Sequence, residues 1–445
     1  MLSTTVVRTV LEFDVGDYVT RARETGREHL DPGLRARMAE LYVDLRSAPA
    51  DAVTGLGSAE RAMLRLAELV LQSEWRLALP AGTEHVIRWH PGQPPDVPGK
   101  RYLAYAGMRL LNTAMGTRRH ASDHAIDRRC RQVLRALCDS WLGFEQRSRT
   151  GDETWCGREM PASAALDERI RRLAALRDTL TAPGQPAAPA RPPREWGAYT
   201  SVDGRANILE YLINLPQTAM HEENAFLRVI HMTEATTWGM VARVMSAIEW
   251  LKTGRWSQAA GCLRRAGQLA QAQLDALLVL RRTMSVEHFL GFRAATGDAS
   301  AVQTLSGQLL HIHLVGVHPR KIAAMAQVPE NAYLLMHVNP AFEPLRRALE
   351  HVPESAPGGP DVLAAARHLD DVLFHWRRTH LGLAHRYLPK DMPGSGGTSG
   401  APYLQAFYQD RLFDPTGKLM AHPIAADRPL LAADARARPA FSPLN

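Results

Sequence analysis

The sequence is short of the features that would place it outside the cell, in a membrane or around a structural metal. Its four cysteines, Cys130, Cys138, Cys156 and Cys262, are too few for a disulfide framework and fall at no metal-type spacing. No stretch reaches the roughly 18 uninterrupted apolar residues of a membrane-spanning helix. The opening MLSTTVVRTVLEFDVGDY lacks the basic-then-apolar layout of a signal peptide. These absences lead us to expect a cytoplasmic protein with free thiols and no membrane partner. One sign of charge is in excess, with a formal net charge of +7 and a pI of 9.4. Arginine, however, is spread along every helical stretch, usually beside acids. That reads as compositional habit, so no nucleic-acid partner is expected.

What is present is helical periodicity. With 45% apolar residues the chain can bury one large core or two modest ones. Apolar residues recur at steps of three and four over Leu34–Arg46 and Ser58–Leu79. They do so again over Arg101–Gly143, after the proline-rich loop His90–Lys100, and a further helix is expected over Ala165–Leu180. Prolines and alanines dominate Thr181–Glu195 and exclude both helix and central strand there, so we place a linker at 181–195. Helices then resume at Ala206–Leu215, His221–Lys252, Ser257–Met284 and Ala301–Val315, and no strand pattern follows. The expectation is an all-α protein: a helical N-terminal region (1–180), the linker, a helical domain (196–414) and a tail (415–445).

The most informative stretch is Phe374–Leu404. Val362, Ala366, Leu369, Leu373, Trp376, His380, Leu383 and Tyr387 draw one continuous stripe along a helix face. His380 stands where a leucine belongs. A lone imidazole there is ordinarily a core histidine with satisfied ring nitrogens; the sharper reading is a metal or haem-iron ligand on a rigid helix. Pro389 and Pro393 end the helix, and Gly394-Ser395-Gly396-Gly397-Thr398-Ser399-Gly400 follows. Such a loop lets backbone approach a ligand closely and offers it several donors. Other histidines carry less. His120 and His124 lie four apart on a charged, solvated face with no third ligand nearby. His311 and His313 point away from each other on a helix, so with His318 they make no zinc site. Trp155-Cys156-Gly157 carries no mechanism of its own.

The order Trp-Arg-x-x-His, a second Arg on the same helix, the Gly/Ser/Thr loop and a Tyr-Leu pair resembles the tryptophan 2,3-dioxygenase family. Two further places match in the same order: Phe226 to Trp238, with His231 and Glu234, and Phe289-Leu290-Gly291-Phe292-Arg293. The resemblance covers about residues 204–414. It implies a helical bundle of that family's type, with the N-terminal region as an addition. It implies haem b with His380 as the iron ligand and the opposite face left for dioxygen. Trp376, Ser300 and Arg386 would border the cofactor, Arg386 as partner of a propionate. Arg293 would fork onto the carboxylate of an aromatic amino acid, with Ser395 standing where the family has its loop Thr. His231 would face the aromatic ring as the catalytic residue, and Leu227, Phe289 and Phe292 would wall the pocket. The family's habit implies a homo-oligomer, a dimer or tetramer.

The departures shape the expected activity. Phe289 replaces the family's Tyr, Ala301-Val302-Gln303-Thr304 its Gly-Phe-Gln-Ser run, and Leu227 its indole-pocket Phe. The tyrosines that complete a neighbouring subunit's pocket are missing from residues 203–212. The expectation is an oxygenase of tryptophan or a tryptophan-like amino acid, giving an N-formylkynurenine type of product in a natural-product pathway. The alternatives are a haem-dependent mono-oxygenase of an indole or tyrosine derivative and, from another class, a non-catalytic haem-binding helical interaction protein.

Overall fold

The computed structural model describes residues 2–48, 50–79, 104–115, 123–151, 159–180, 212–296, 304–317, 342–389, 401–408 and 410–420. Among these the chain is all-α, with no strand; an isolated bridge joins Phe413 and Leu419. The helices are α1 Leu2–Leu11, α2 Val15–Thr25, α3 Pro32–Ser47, α4 Ser58–Ala78, α5 Met108–Met115, α6 Asp123–Thr150 and α7 Ser163–Leu180, continuing with α8 His221–Lys252, α9 Trp256–Thr283, α10 Val286–Arg293, α11 Leu305–Val315, α12 Leu345–Glu350, α13 Gly359–Tyr387 and α14 Ala401–Tyr408. No described helix is long and apolar enough to cross a membrane.

Local chemistry sets the helix ends. The Asp14 and Asp31 side chains accept from Asp17 N and Leu34 N at 2.9 and 2.8 Å, capping α2 and α3, and Pro32 opens α3. Ser285 and Thr304 cap α10 and α11 in the same way. Glycine 358, with φ +88, turns the chain into α13.

The expected helix over Arg101–Gly143 is divided. Gly107 takes φ +59, where an added Cβ would meet Ile213 Cα at 3.2 Å, and α5 begins after it; α6 then starts at Asp123. Helix α11 begins at Leu305 rather than Ala301, because the Thr304 hydroxyl caps it. The helix expected to reach Leu215 has ended by Ile213. Helices α10 and α12 have no counterpart in the sequence reading.

The chain forms two compact units, each discontinuous in sequence. The first comprises Met1–Gly116, Arg131–Met232 and Val279–Ala299; the second comprises Thr117–Cys130, Thr233–Leu278 and Ser300–Asn445. In the first, fully buried Tyr18, Tyr42, Leu71, Trp141, Phe144 and Phe292 build the core. In the second, Met240, Val244, Leu263, Ile312, Val362 and Leu369 do so. Glycines bring helices of the second unit close. A Cβ at Gly239 would meet Cys130 Sγ at 2.7 Å and Leu269 Cδ1 at 2.8 Å, and one at Gly267 would meet His368 at 2.8 Å.

Candidate functional site

Helix α13 carries the stripe expected of it, with one interruption. Val362, Ala366, Leu369, Leu373, Leu383 and Tyr387 are buried, whereas Trp376 and His380 are only half-buried. The stripe therefore opens at the two motif residues. Their rings tilt together with centroids 5.2 Å apart. His380 makes no hydrogen bond among the described residues, and burial pushes its imidazole down to about 4, so the ring is neutral at pH 7. The Trp376 Nε1–H also finds no partner among them. Arg386 is exposed, with its guanidinium 5.4 Å from the Tyr387 ring centre. Ser300 and Ser395, with the whole glycine-rich loop, lie outside the described residues.

The first unit holds His231, Leu227, Phe289, Phe292 and Arg293. Phe226, Phe289 and Phe292 form an aromatic cluster with centroids 5.4 to 5.9 Å apart, and Leu227 is completely buried. Arg293 is half-buried. It donates to Thr296 Oγ1 at 3.0 Å, interacts electrostatically with Tyr105, and has its pKa lowered by burial.

His231 is fully buried and lies 2.9 Å, through Nε2, from the carbonyl oxygen of Ala106. A carbonyl oxygen only accepts, so Nε2 must carry the proton and Nδ1 a bare lone pair. That lone pair has no partner among the described residues. Burial, with lesser contributions from Arg228 and Arg27, pushes the imidazole down to about 3 despite the Ala106 bond, so it stays neutral.

Around this group the first unit contains buried charges that sequence reasoning missed. Arg169 donates to Glu145 at 3.0 Å, to both oxygens of Glu222 at 2.8 Å and to Thr283 at 2.9 Å, with all three charged groups fully buried. His221 stacks on Phe144 and lies 3.3 Å from Glu145. Glu223 accepts from Gln217 N, Thr218 N and Thr218 Oγ1 at 2.5 to 2.8 Å, tying the entry of α8 to the preceding turn. Nothing in local spacing signals these partners, which stand 24 and 53 residues apart in the case of Arg169.

In the second unit Glu234 is a buried carboxyl whose partners among the described residues are hydroxyls, Ser306 at 2.5 Å and Thr304. Burial outweighs them and pushes its pKa up to about 7. His311 approaches Asp410 at 3.6 Å, while His313 bonds to the Leu309 carbonyl at 2.9 Å. The two have separate partners. His318, His120 and Trp155-Cys156-Gly157 lie outside the described residues, and among those described no group of His, Cys, Asp and Glu is placed to hold a metal ion.

No family model matches the chain, and no curated protein matches it.

Proposed function

We propose that this chain belongs with the tryptophan 2,3-dioxygenase type of haem-dependent oxygenase and acts on tryptophan or a tryptophan-like amino acid with dioxygen. The observation that carries the reading is the state of the two motif imidazoles. A core histidine spends its ring nitrogens on neighbours. His231 keeps one buried lone pair unspent among the described residues, and half-buried His380 has no hydrogen-bond partner among them.

The residues fit the cofactor. A neutral imidazole on a long helix, half-open beside a tryptophan, is the donor that haem iron takes. His380 would hold the iron, Trp376 would pack beside the ring, and Arg386, exposed further along the same helix, would pair with a propionate. Bound there, haem supplies dioxygen activation. Arg293 pairs its planar fork with the substrate carboxylate. Leu227, Phe289 and Phe292 keep water from the ring, and His231 Nδ1 accepts the ring N–H and so orients it. Ser395 and Ser300 keep the roles the resemblance gives them. Homo-oligomerisation and a place in natural-product synthesis belong to the same proposal.

The test is an absorption spectrum of the purified protein supplied with haem, reduced, then mixed with tryptophan under oxygen. A Soret band that responds to tryptophan, with a product heavier by both atoms of dioxygen, supports the reading. A product carrying one oxygen atom would make it a mono-oxygenase needing two electrons from outside. A His380→Ala variant that kept a full Soret band would overturn the ligand assignment.

A further inference from the structure

Residues 1–116 have no counterpart in the resemblance, yet they supply the only described partner of His231. That partner is the carbonyl of Ala106, in the turn Ala104–Gly107. The turn is gripped from behind by Arg27, which is 3% exposed. Its NH1 donates to Ala104 O at 3.3 Å and to Glu74 Oε1 at 3.2 Å, and its NH2 donates to Tyr105 O at 2.7 Å. The Gln217 amide oxygen, oriented by the donors facing it, takes Nε at 2.8 Å and NH2 at 2.7 Å. All five N–H groups of the guanidinium are thus spent. Glu74 is itself held by the Tyr18 hydroxyl at 2.6 Å.

The approach of Arg27 depends on Gly26. At φ +82, Gly26 lies so close to the 217–218 backbone that a Cβ would meet Gln217 O at 2.4 Å, and Arg27 N donates to Pro216 O at 2.9 Å. The same turn faces the other candidate substrate residue, because the Tyr105 side chain interacts with Glu223 and with Arg293.

We propose that Arg27, backed by Glu74 and Tyr18, is a positioning residue for His231: by pinning the Ala104–Gly107 turn it fixes the imidazole in its Nε2–H tautomer and keeps Nδ1 as an acceptor. The N-terminal region thereby sets the hydrogen-bonding sense of the site. A ligand meeting Nδ1 must bring a donor, such as a ring N–H or hydroxyl. The inference rests on the reading of His231 as ligand-facing only for its consequence; the tautomer itself is independent of haem.

The test is nitrogen-15 NMR of the full chain labelled at histidine, with the His231 signals assigned by their loss in His231→Gln. The charged groups that face this ring are Arg27 and Arg228, both guanidiniums, and the spectra are taken between pH 5 and 8. In the wild type His231 should show one protonated and one bare nitrogen, unchanged across that range. Arg27→Met paired with Glu74→Gln removes the grip without stranding a buried carboxylate, and should populate the second tautomer or bring the ring into titration. Arg27→Lys, which keeps the charge but not the fork, should give an intermediate result. A folded Arg27→Met/Glu74→Gln protein with unchanged His231 signals would overturn the proposal. So would a wild type already mixed between tautomers. Failure of the oxygenase reading would show instead as a missing Soret band, with these signals unaffected.

Discussion

Glu145 and Glu234 are the same side chain in two differently built interiors. Both carboxyls are buried, and burial alone would raise both pKa values. In the first unit the Arg169 guanidinium, then His221, outweigh burial and carry Glu145 below the ordinary carboxylate range. In the second unit Glu234 has hydroxyls but no cation among the described residues, and it rises to about 7. The first interior is a set of charges paired across long stretches of sequence. The second packs close helices around apolar side chains, with Asp370 paired to Arg411 and with Glu234 held by hydroxyls. Breaking a partner should therefore hurt the first unit, whereas removing the Glu234 charge should help the second.

The largest effect should come from Arg169→Met, which strands two fully buried carboxylates. The expected loss is about 3–5 kcal/mol of unfolding free energy, measured by denaturant titration. Adding Glu145→Gln and Glu222→Gln should recover most of it; without recovery, charge pairing would not be what holds this interior.

Next comes Gly26→Ala. The positive φ and a backbone oxygen in the way leave nothing flexible to yield, so we expect a loss of about 2–4 kcal/mol. The same denaturant titration measures it, and a loss no larger than that of Gly239→Ala would remove the contrast between the two seams.

Glu234→Gln should act in the opposite direction, and with pH dependence. A carboxyl raised in the folded state binds more protons folded than unfolded between roughly pH 4.5 and 7, so wild-type stability falls as pH rises through that window. The amide does not titrate. The variant should match the wild type near pH 4 and exceed it by about 1–3 kcal/mol at pH 8. A gain independent of pH would show that the Glu234 charge is not the cause.

The smallest effect is expected at Gly239→Ala. The added methyl meets Cys130 Sγ and Leu269 Cδ1, both ends of side chains that can shift, so about 1 kcal/mol should be lost.

Much of the fold was legible because helices announce themselves locally. The bounds expected for α8, His221–Lys252, are those observed, and the stripe on α13 is buried where periodicity put it except at Trp376 and His380. Divided elements were harder to see: Arg101–Gly143 carries helical spacing throughout, and only tertiary contact at Gly107 shows the break. The site was legible as single residues. His231, Arg293 and His380 stood out by motif, but what surrounds them did not. Arg27, Glu74, Glu145 and Arg169 look in sequence like the solvated charges of any helix surface. Their burial depends on partners whose distance along the chain no periodic pattern records.

The grip of Arg27 on the Ala104–Gly107 turn also bears on how the chain can be divided. A boundary drawn at 181–195 separates Arg27 from Gln217, Ala106 from His231, and Arg169 from Glu222. A fragment beginning after that point would carry His231 with an orphaned N–H and a buried acid without its arginine. A cleavage site engineered between the two halves should therefore cut the chain without releasing either piece, because the first unit is stitched from both.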